Sequence, residues 1–406
     1  MNPKATFVLV IACSATVGCG NGTGPSGPPA AIVISPDAPW IKVGASLQLT
    51  ATVTDSTGRP VPGQPVWFES TDNSVITVTR TGLASAVGPL GRVFVFARSV
   101  VPSNSVPPDT LSAAMLVGAF DTSIVARFSR DARPYSVAIS TLDVVYVSEV
   151  ASNRLVRVDP STLNVVDSVA VGMVPTEIAF NATGSRAYVT NQFSHTVSVI
   201  DGAVNKVISG FSVPGNPFAV IVAPGDSIVY VTTTADSLFG VRAVTGEIKA
   251  RVQMPIISNG FAIHDSLMYV STRDVGSVTV VNLHTNLPRD TIPVGGAPQG
   301  IVVSPDGREL YVANENATLQ FWNIPGDSLD ATVSLAGGGF GLARHPVSGR
   351  LYVGTLGGGE VQVIDPSTRT IVKSFPMGGV VRRIAFTSSG SLAVVANEAG
   401  WIDFIR

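Results

Sequence analysis

Cysteine is nearly absent. The chain has two, Cys13 and Cys19, both within its first nineteen residues. Beyond them no disulfide, thiolate metal site or cysteine nucleophile is available. Charge is also scarce: 13% of residues are charged and the net charge is −2. Lysine occurs five times. A large nucleic-acid footprint needs a basic stripe, so no nucleic-acid partner is expected. The four histidines show no metal spacing such as H-x-x-x-H, and no metal or cofactor is expected from them. There is no P-loop, no G-x-S-x-G elbow and no C-x-x-C. These absences weaken an enzyme reading without excluding one. A formal G-x-G-x-x-G at Gly22 to Gly27 follows no strand and opens no helix, so it carries no phosphate-binding meaning.

What is abundant is valine, with 62 residues, together with 40 glycines and 28 prolines among 406 residues. Valine favours strands; glycine and proline punctuate them. At 45% hydrophobic the chain is too apolar for disorder. The expectation is an all-β protein.

The amino-terminal segment carries Lys4 and an apolar run from Ala5 to Val17. That is too short for a membrane-spanning helix and fits the core of a secretory signal peptide over residues 1–18. The sequence Thr16-Val17-Gly18-Cys19 resembles a bacterial lipoprotein cleavage box, with Thr16 in the place of the usual Leu. The resemblance implies lipidation of Cys19 and anchoring to a membrane, the outer one in a two-membrane bacterium. Residues 19–30, rich in Gly, Ser and Pro, read as a flexible tether.

Residues 31–117 alternate short apolar stretches with turn signals. Ser46 to Val53 alternates strictly, as a strand with one wet face does. Strands at this spacing predict an antiparallel sandwich, with Trp67 expected in its core. Val43-Gly44, Leu47-Gln-Leu-Thr-Ala-Thr-Val53, Trp67-Phe-Glu-Ser70 and Gly82-Leu83 follow the order of the bacterial group-2 immunoglobulin-like domain, which this segment resembles. The family occurs in surface and adhesion proteins, often as a spacer.

Residues 118–406 repeat. The pair Tyr-Val recurs at 146, 188, 230, 269, 311 and 352, and Val394-Val395 takes the seventh place. A period near 40 residues with four short strands per unit predicts a seven-bladed β-propeller. The last unit has only three strands. Ser123 to Phe128, ahead of the first unit, is expected to supply the fourth and close the ring. Ala187-Tyr-Val-Thr-Asn191 with Thr196 to Asp201, and Ile301 to Gly307 with Tyr311-Val-Ala-Asn314, resemble the YVTN-type propeller repeat. Its members are exported or envelope proteins, and some related propellers are lactonases or amine dehydrogenases. The repeat implies fold, not chemistry.

In such a ring the loops entering the inner strands share one face. Tyr135, Glu177, Phe218, Asn259, Gln299, Phe340 and Arg382 are expected at that channel mouth as ligand-binding candidates, with Glu149, Arg273, Glu315 and Glu398 around them. No catalytic residue is assigned. Asp159, Asp201 and Asp365, at matching repeat positions, are expected to cap turns. The expected function is binding or scaffolding at the cell envelope, toward a protein, glycan or small-molecule ligand. The alternatives are a propeller enzyme acting on a small metabolite such as a lactone, and a surface adhesion protein.

Overall fold

A computed structural model describes residues 27–88, 91–101, 110–121, 123–130 and 132–406. The leader, most of the tether and Cys19 lie outside the described residues. The chain divides into two compact units at Thr122/Ser123.

The first unit is a sandwich. One sheet orders the strands Trp40–Lys42, Thr110–Phe120, Gly91–Val100 and Trp67–Ser70; another orders Ser46–Gln48, Leu83–Ala86 and Ile76–Val78; a third pairs Pro29–Ser35 with Thr50–Asp55. Their inner faces share one core, built on Ile41, Leu49, Phe68, Ile76, Val95 and Val117. The expectation for Trp67 is corrected here. The alternation along its strand turns Phe68 inward, leaving Trp67 half-buried with its indole N–H donated to Glu69 Oε1 at 3.2 Å. Another tryptophan sets a tighter constraint: Trp40 lies so close to Gly118 that a Cβ there would stand 2.2 Å from its ring.

The second unit holds seven four-stranded antiparallel sheets. Six are consecutive in sequence. The seventh orders Ile124–Ser129, Trp401–Ile405, Ala393–Asn397 and Val381–Phe386, so the strand preceding the first blade completes the last. Each inner strand packs on the next, and the seventh on the first, which closes the ring. The hydrophobic cores lie between blades: Val197 and Val199 of the second pack with Val229, Val231 and Phe239 of the third. Both faces of the middle strands are therefore covered, which explains their continuous apolar runs.

The repeated tyrosines also join blades. The Tyr146 hydroxyl donates to Asn205 Oδ1 of the second blade at 2.8 Å, and Tyr230 to Asn286 Oδ1 of the fourth at 2.5 Å. Both asparagines have left-handed backbone, with φ of 51° and 55°, a conformation that asparagine tolerates better than most residues. The expected turn caps are present: Asp159, Asp201 and Asp365 each accept backbone N–H groups two residues on, at 2.8–2.9 Å.

The closure carries a clasp. Arg127 and Asp403, both buried, form a two-bonded ion pair at 2.5 and 2.8 Å. Arg127 also donates to Met377 O and lies over the Trp401 ring, 4.6 Å from its centre. Two further arginines follow at intervals of three. Arg130 holds Glu149 at 2.5 Å, and Arg133 holds Glu398.

Candidate functional site

In all seven blades the start of the inner strand pairs with the end of the second strand and then slips register, the last pair before the slip being Pro134 to Glu149, Pro175 to Asn191, Pro217 to Thr233, Ser258 to Thr272, Pro298 to Asn314, Gly339 to Thr355 and Val381 to Asn397. A bulge of this kind re-aims the side chains at it. The first residue of the irregularity is Tyr135, Thr176, Phe218, Asn259, Gln299, Phe340 and Arg382 in turn. Six of the seven expected mouth residues thus occupy one structural position. Glu177 does not: Thr176 holds that place in the second blade, and Glu177 follows it.

That one-residue offset has a chemical consequence. The position after the bulge is Ser136, Ala219, Gly260, Gly300 and Gly341 in five blades, where a larger side chain meets the neighbouring blade. A Cβ on Gly341 would stand 2.2 Å from Arg382 O, and one on Gly260 2.2 Å from Gln299 O. The glycine-rich run of the sixth blade thus lets blade backbones approach one another. Charged residues hold this position only in the second and seventh blades, as Glu177 and Arg383. They reach each other across the first blade, Arg383 Nε to Glu177 Oε1 at 2.6 Å, while Ser136 Oγ donates to Glu177 Oε2 at 3.0 Å.

The other charges are matched as well. Arg382 donates from Nε and Nη2 to Glu398 Oε2 at 2.6 and 2.5 Å, and Arg133 holds the other oxygen. Burial pushes the Glu398 carboxyl up, but Arg382 and Arg133 outweigh it and hold the group below the ordinary glutamate range. On the fourth and fifth blades Arg273 makes two 3.1 Å bonds to Glu315, Gln299 Nε2 donates to Glu315 Oε1 at 2.5 Å, and Asn259 Nδ2 donates to Gln299 Oε1 at 2.7 Å. Asn259 Oδ1, buried, has no donor.

Between these groups lies an aromatic floor. Tyr135 meets Phe218 and Phe340 edge-to-face, with centroids 6.2 and 6.3 Å apart. The Arg382 guanidinium lies over both Tyr135 and Phe340, at 5.3 and 4.6 Å, and Arg383 over Phe340 at 4.9 Å. Burial pushes the Tyr135 hydroxyl up to about 12 against the opposing pull of Arg383 and Arg382, so it stays a proton donor at neutral pH.

Other features serve structure. Asn191, Asn314 and Asn397, fully buried, each accept an N–H from the loop entering their own blade, at 2.8–3.1 Å. His345 accepts the N–H groups of Val347 and Ser348 at Nδ1, which leaves its Nε2–H to bond Gly390 O of the seventh blade at 3.0 Å. Among the described residues no three of His, Cys, Asp and Glu are grouped to hold a metal. A cavity of about 300 Å³ lies at the far ends of the inner strands, lined by Ile139, Ala343, Arg344 and Phe386; another, of about 360 Å³, lies on the outer strand of the second blade beside Phe211. Neither includes a mouth residue.

The three rings of the floor were named from the sequence, but the ion pairs around them were not legible there. Arg133 has its partner Glu398 265 residues away along the chain, beyond any local pattern. The regular interval Arg127, Arg130, Arg133 was the available signal.

Comparison with known proteins bears on each unit separately. Residues 30–93 match the model of the bacterial Ig-like domain (group 2). Those residues form an Ig-like region. Over 142 residues, 32% of this chain, the sequence is 27% identical to antigen Lp49 of Leptospira interrogans; the match spans 30% of that protein's length. Among solved structures, the hydrazine synthase of Kuenenia stuttgartiensis superposes with a TM-score of 0.62 at 17% identity, covering 70% of this chain and 98% of that one. At that identity the likeness shows the fold alone.

Proposed function

We propose that this protein is an exported, lipid-anchored envelope protein that uses its propeller mouth to bind a ligand, with the Ig-like domain as a spacer. The observation that carries the binding reading is the Arg382–Tyr135–Phe340 stack. Arginine and aromatic residues are what binding hot spots are enriched in. A carboxylate that acts as general base must be free to take a proton. Here Glu177, Glu398 and Glu315 are each held by an arginine, which favours binding over acid–base catalysis. The envelope location is supported by the Cys19 motif, by the Ig-like domain and by the similarity to a bacterial antigen.

Two measurements test the reading. Cys19→Ala moves the protein from the membrane fraction to the soluble fraction, since stable anchoring needs acyl chains; unchanged membrane retention refutes the anchor. A thermal-shift screen of glycans and metabolites, repeated on Phe218→Ala, gives at least one hit whose shift disappears in the variant. If every hit shifts parent and variant equally, the mouth is not the binding face.

A further inference from the structure

At the face opposite the mouth the inner strands end in one recurring position. It is apolar in six blades, as Ile139, Phe180, Val222, Ile263, Val303 and Phe386, each paired near the start of its second strand. In the sixth blade it is Arg344, paired with Leu351. An apolar side chain therefore satisfies the fold at this place, and the arginine answers to something else. Arg344 is half-buried, and among the described residues it has no ion pair and no hydrogen bond. Its guanidinium lies against Gly349, where a Cβ would stand 2.8 Å from Nη2. Two acids at the same face are engaged elsewhere: Asp143 accepts the N–H and O–H of Ser388 at 2.7 and 3.1 Å, and Glu309 pairs with Arg369 at 3.3 Å.

Arg344 is the one charged residue among those lining the cavity of about 300 Å³ at this face. The apolar walls come from three blades: Ile139 of the first, Ala343 and Pro346 of the sixth, Ala385 and Phe386 of the seventh. These walls are clipped together. The Phe386 ring packs against Tyr352 and His345, with centroids 4.8 and 5.0 Å away. His345 Nε2 bonds Gly390 O, and Asp143 bonds Ser388, so the seventh blade is tied to both neighbours. Apolar surface continues along the turns beside the cavity. Leu142 and Val347, next in sequence to the lining residues Thr141 and Pro346, are 66% and 75% exposed. A single guanidinium beside an apolar hollow is complementary to one anionic group on an apolar body. The Asp143 carboxylate, bonded to the lining residue Ser388, opposes a second negative charge. A carboxylate therefore fits, and a phosphate, with nearly two charges at neutral pH, does not.

We infer that this cavity binds a small monocarboxylate with an aliphatic or aromatic body, its carboxylate on Arg344 and its body against Ile139, Ala385 and Phe386. The site is separate from the mouth and stands or falls independently of it. The experiment is calorimetric titration of the purified full chain with sodium octanoate, sodium acetate and octylammonium chloride. Octanoate binds. Acetate, which lacks the body, and octylammonium, which carries the opposite charge, do not. Arg344→Leu installs the kind of residue that the other blades carry there; it keeps the melting temperature and weakens octanoate about tenfold or more. Ala343→Ile installs what Ile221 supplies at the matching position of the third blade; it fills the cavity and abolishes octanoate binding. Phe218→Ala, at the mouth, leaves octanoate binding unchanged. No binding of octanoate, equal binding of acetate or octylammonium, or full affinity in Arg344→Leu or in folded Ala343→Ile each overturns the inference. Loss of octanoate in Phe218→Ala overturns it too, since the carboxylate would then sit at the mouth. Should Ala343→Ile fail to fold, Arg344→Leu decides.

Discussion

In the Ig-like unit one core serves three sheets, and strands such as Gly91–Val100 alternate buried and more exposed residues. Phe94 stands 48% exposed between buried Val93 and Val95. In the ring unit the middle strands of each sheet are covered on both faces, and the second and third strands of the seventh blade are buried at every residue. The difference teaches where polar chemistry can go. A sandwich can place polar side chains all along its strands. In a ring of stacked blades the covered strands take ion pairs at strand ends, at bulges and at the seam where the chain closes, while outer strands such as Lys206–Ser212 are exposed. The ring unit's buried ion pairs occur at those places: Arg127–Asp403 at the seam, Arg383–Glu177 and Arg382–Glu398 at the bulges.

The largest test of this contrast is at the seam. Asp403→Ala leaves the Arg127 guanidinium buried without its counter-charge, a change that costs about 3–5 kcal/mol. In calorimetry the ring transition falls while the Ig-like transition stays; the pair Arg127→Leu with Asp403→Leu recovers much of the loss. A ring transition unmoved by Asp403→Ala would show that the clasp does not secure closure.

Glycine substitutions sharpen the comparison at an intermediate scale, since overpacking costs about 1–3 kcal/mol. Gly341→Ala meets backbone at 2.2 Å, and Gly118→Ala meets the Trp40 ring at the same distance. A side chain can turn aside and a packed backbone cannot, so Gly341→Ala lowers the ring transition more than Gly118→Ala lowers the Ig-like one. Denaturant midpoints for the two variants decide it; the reverse order would mean that the blades yield more readily than the sandwich.

A smaller effect comes from the repeat signature itself. Tyr146→Phe removes the hydroxyl tie to Asn205 and costs about 1 kcal/mol in the ring unit. A loss within error in urea titration would reduce the tyrosine to a packing residue.

The least effect is expected from acid, to which Asp55 and Asp403 respond with opposite sign. Asp55 accepts bonds from the Thr57 hydroxyl and from the N–H groups of Gly27, Arg59 and Thr57, which hold its carboxyl far below the ordinary range. A depressed carboxyl contributes stability that is present above the unfolded value, about 3.9, and lost as pH falls toward the folded one. At Asp403 burial raises the carboxyl despite Arg127, so protonation there favours the folded ring. The ring also carries depressed carboxyls, among them Glu398, Asp159 and Asp365, so lowering the pH from 5 to 3 reduces both transitions, with Asp403 opposing the loss in the ring. Asp55→Ala flattens the Ig-like slope, and an unchanged slope in that variant would assign the acid sensitivity elsewhere.

The all-β class, the Ig-like domain, the blade count and the closing strand were legible because each follows from local pattern: alternation, turn chemistry and a fixed repeat of the Tyr-Val pair. The capping role of Asp159, Asp201 and Asp365 was legible for the same reason, since the bonded N–H groups lie two residues away. Trp67 misled because two adjacent aromatics, Trp67 and Phe68, leave strand phase ambiguous until a sheet assigns the faces. Glu177 shows a further boundary. Its sequence neighbourhood places it at the mouth, but only the bulge register reveals that it shares a position with Arg383 and not with Tyr135. The partners Arg127 and Asp403, 276 residues apart, become neighbours solely because the ring closes. Sequence by itself determined the elements and their number, through interactions spanning a few residues. Tertiary structure decided which charges meet, because in a ring the blades that touch across the seam are the ones farthest apart along the chain.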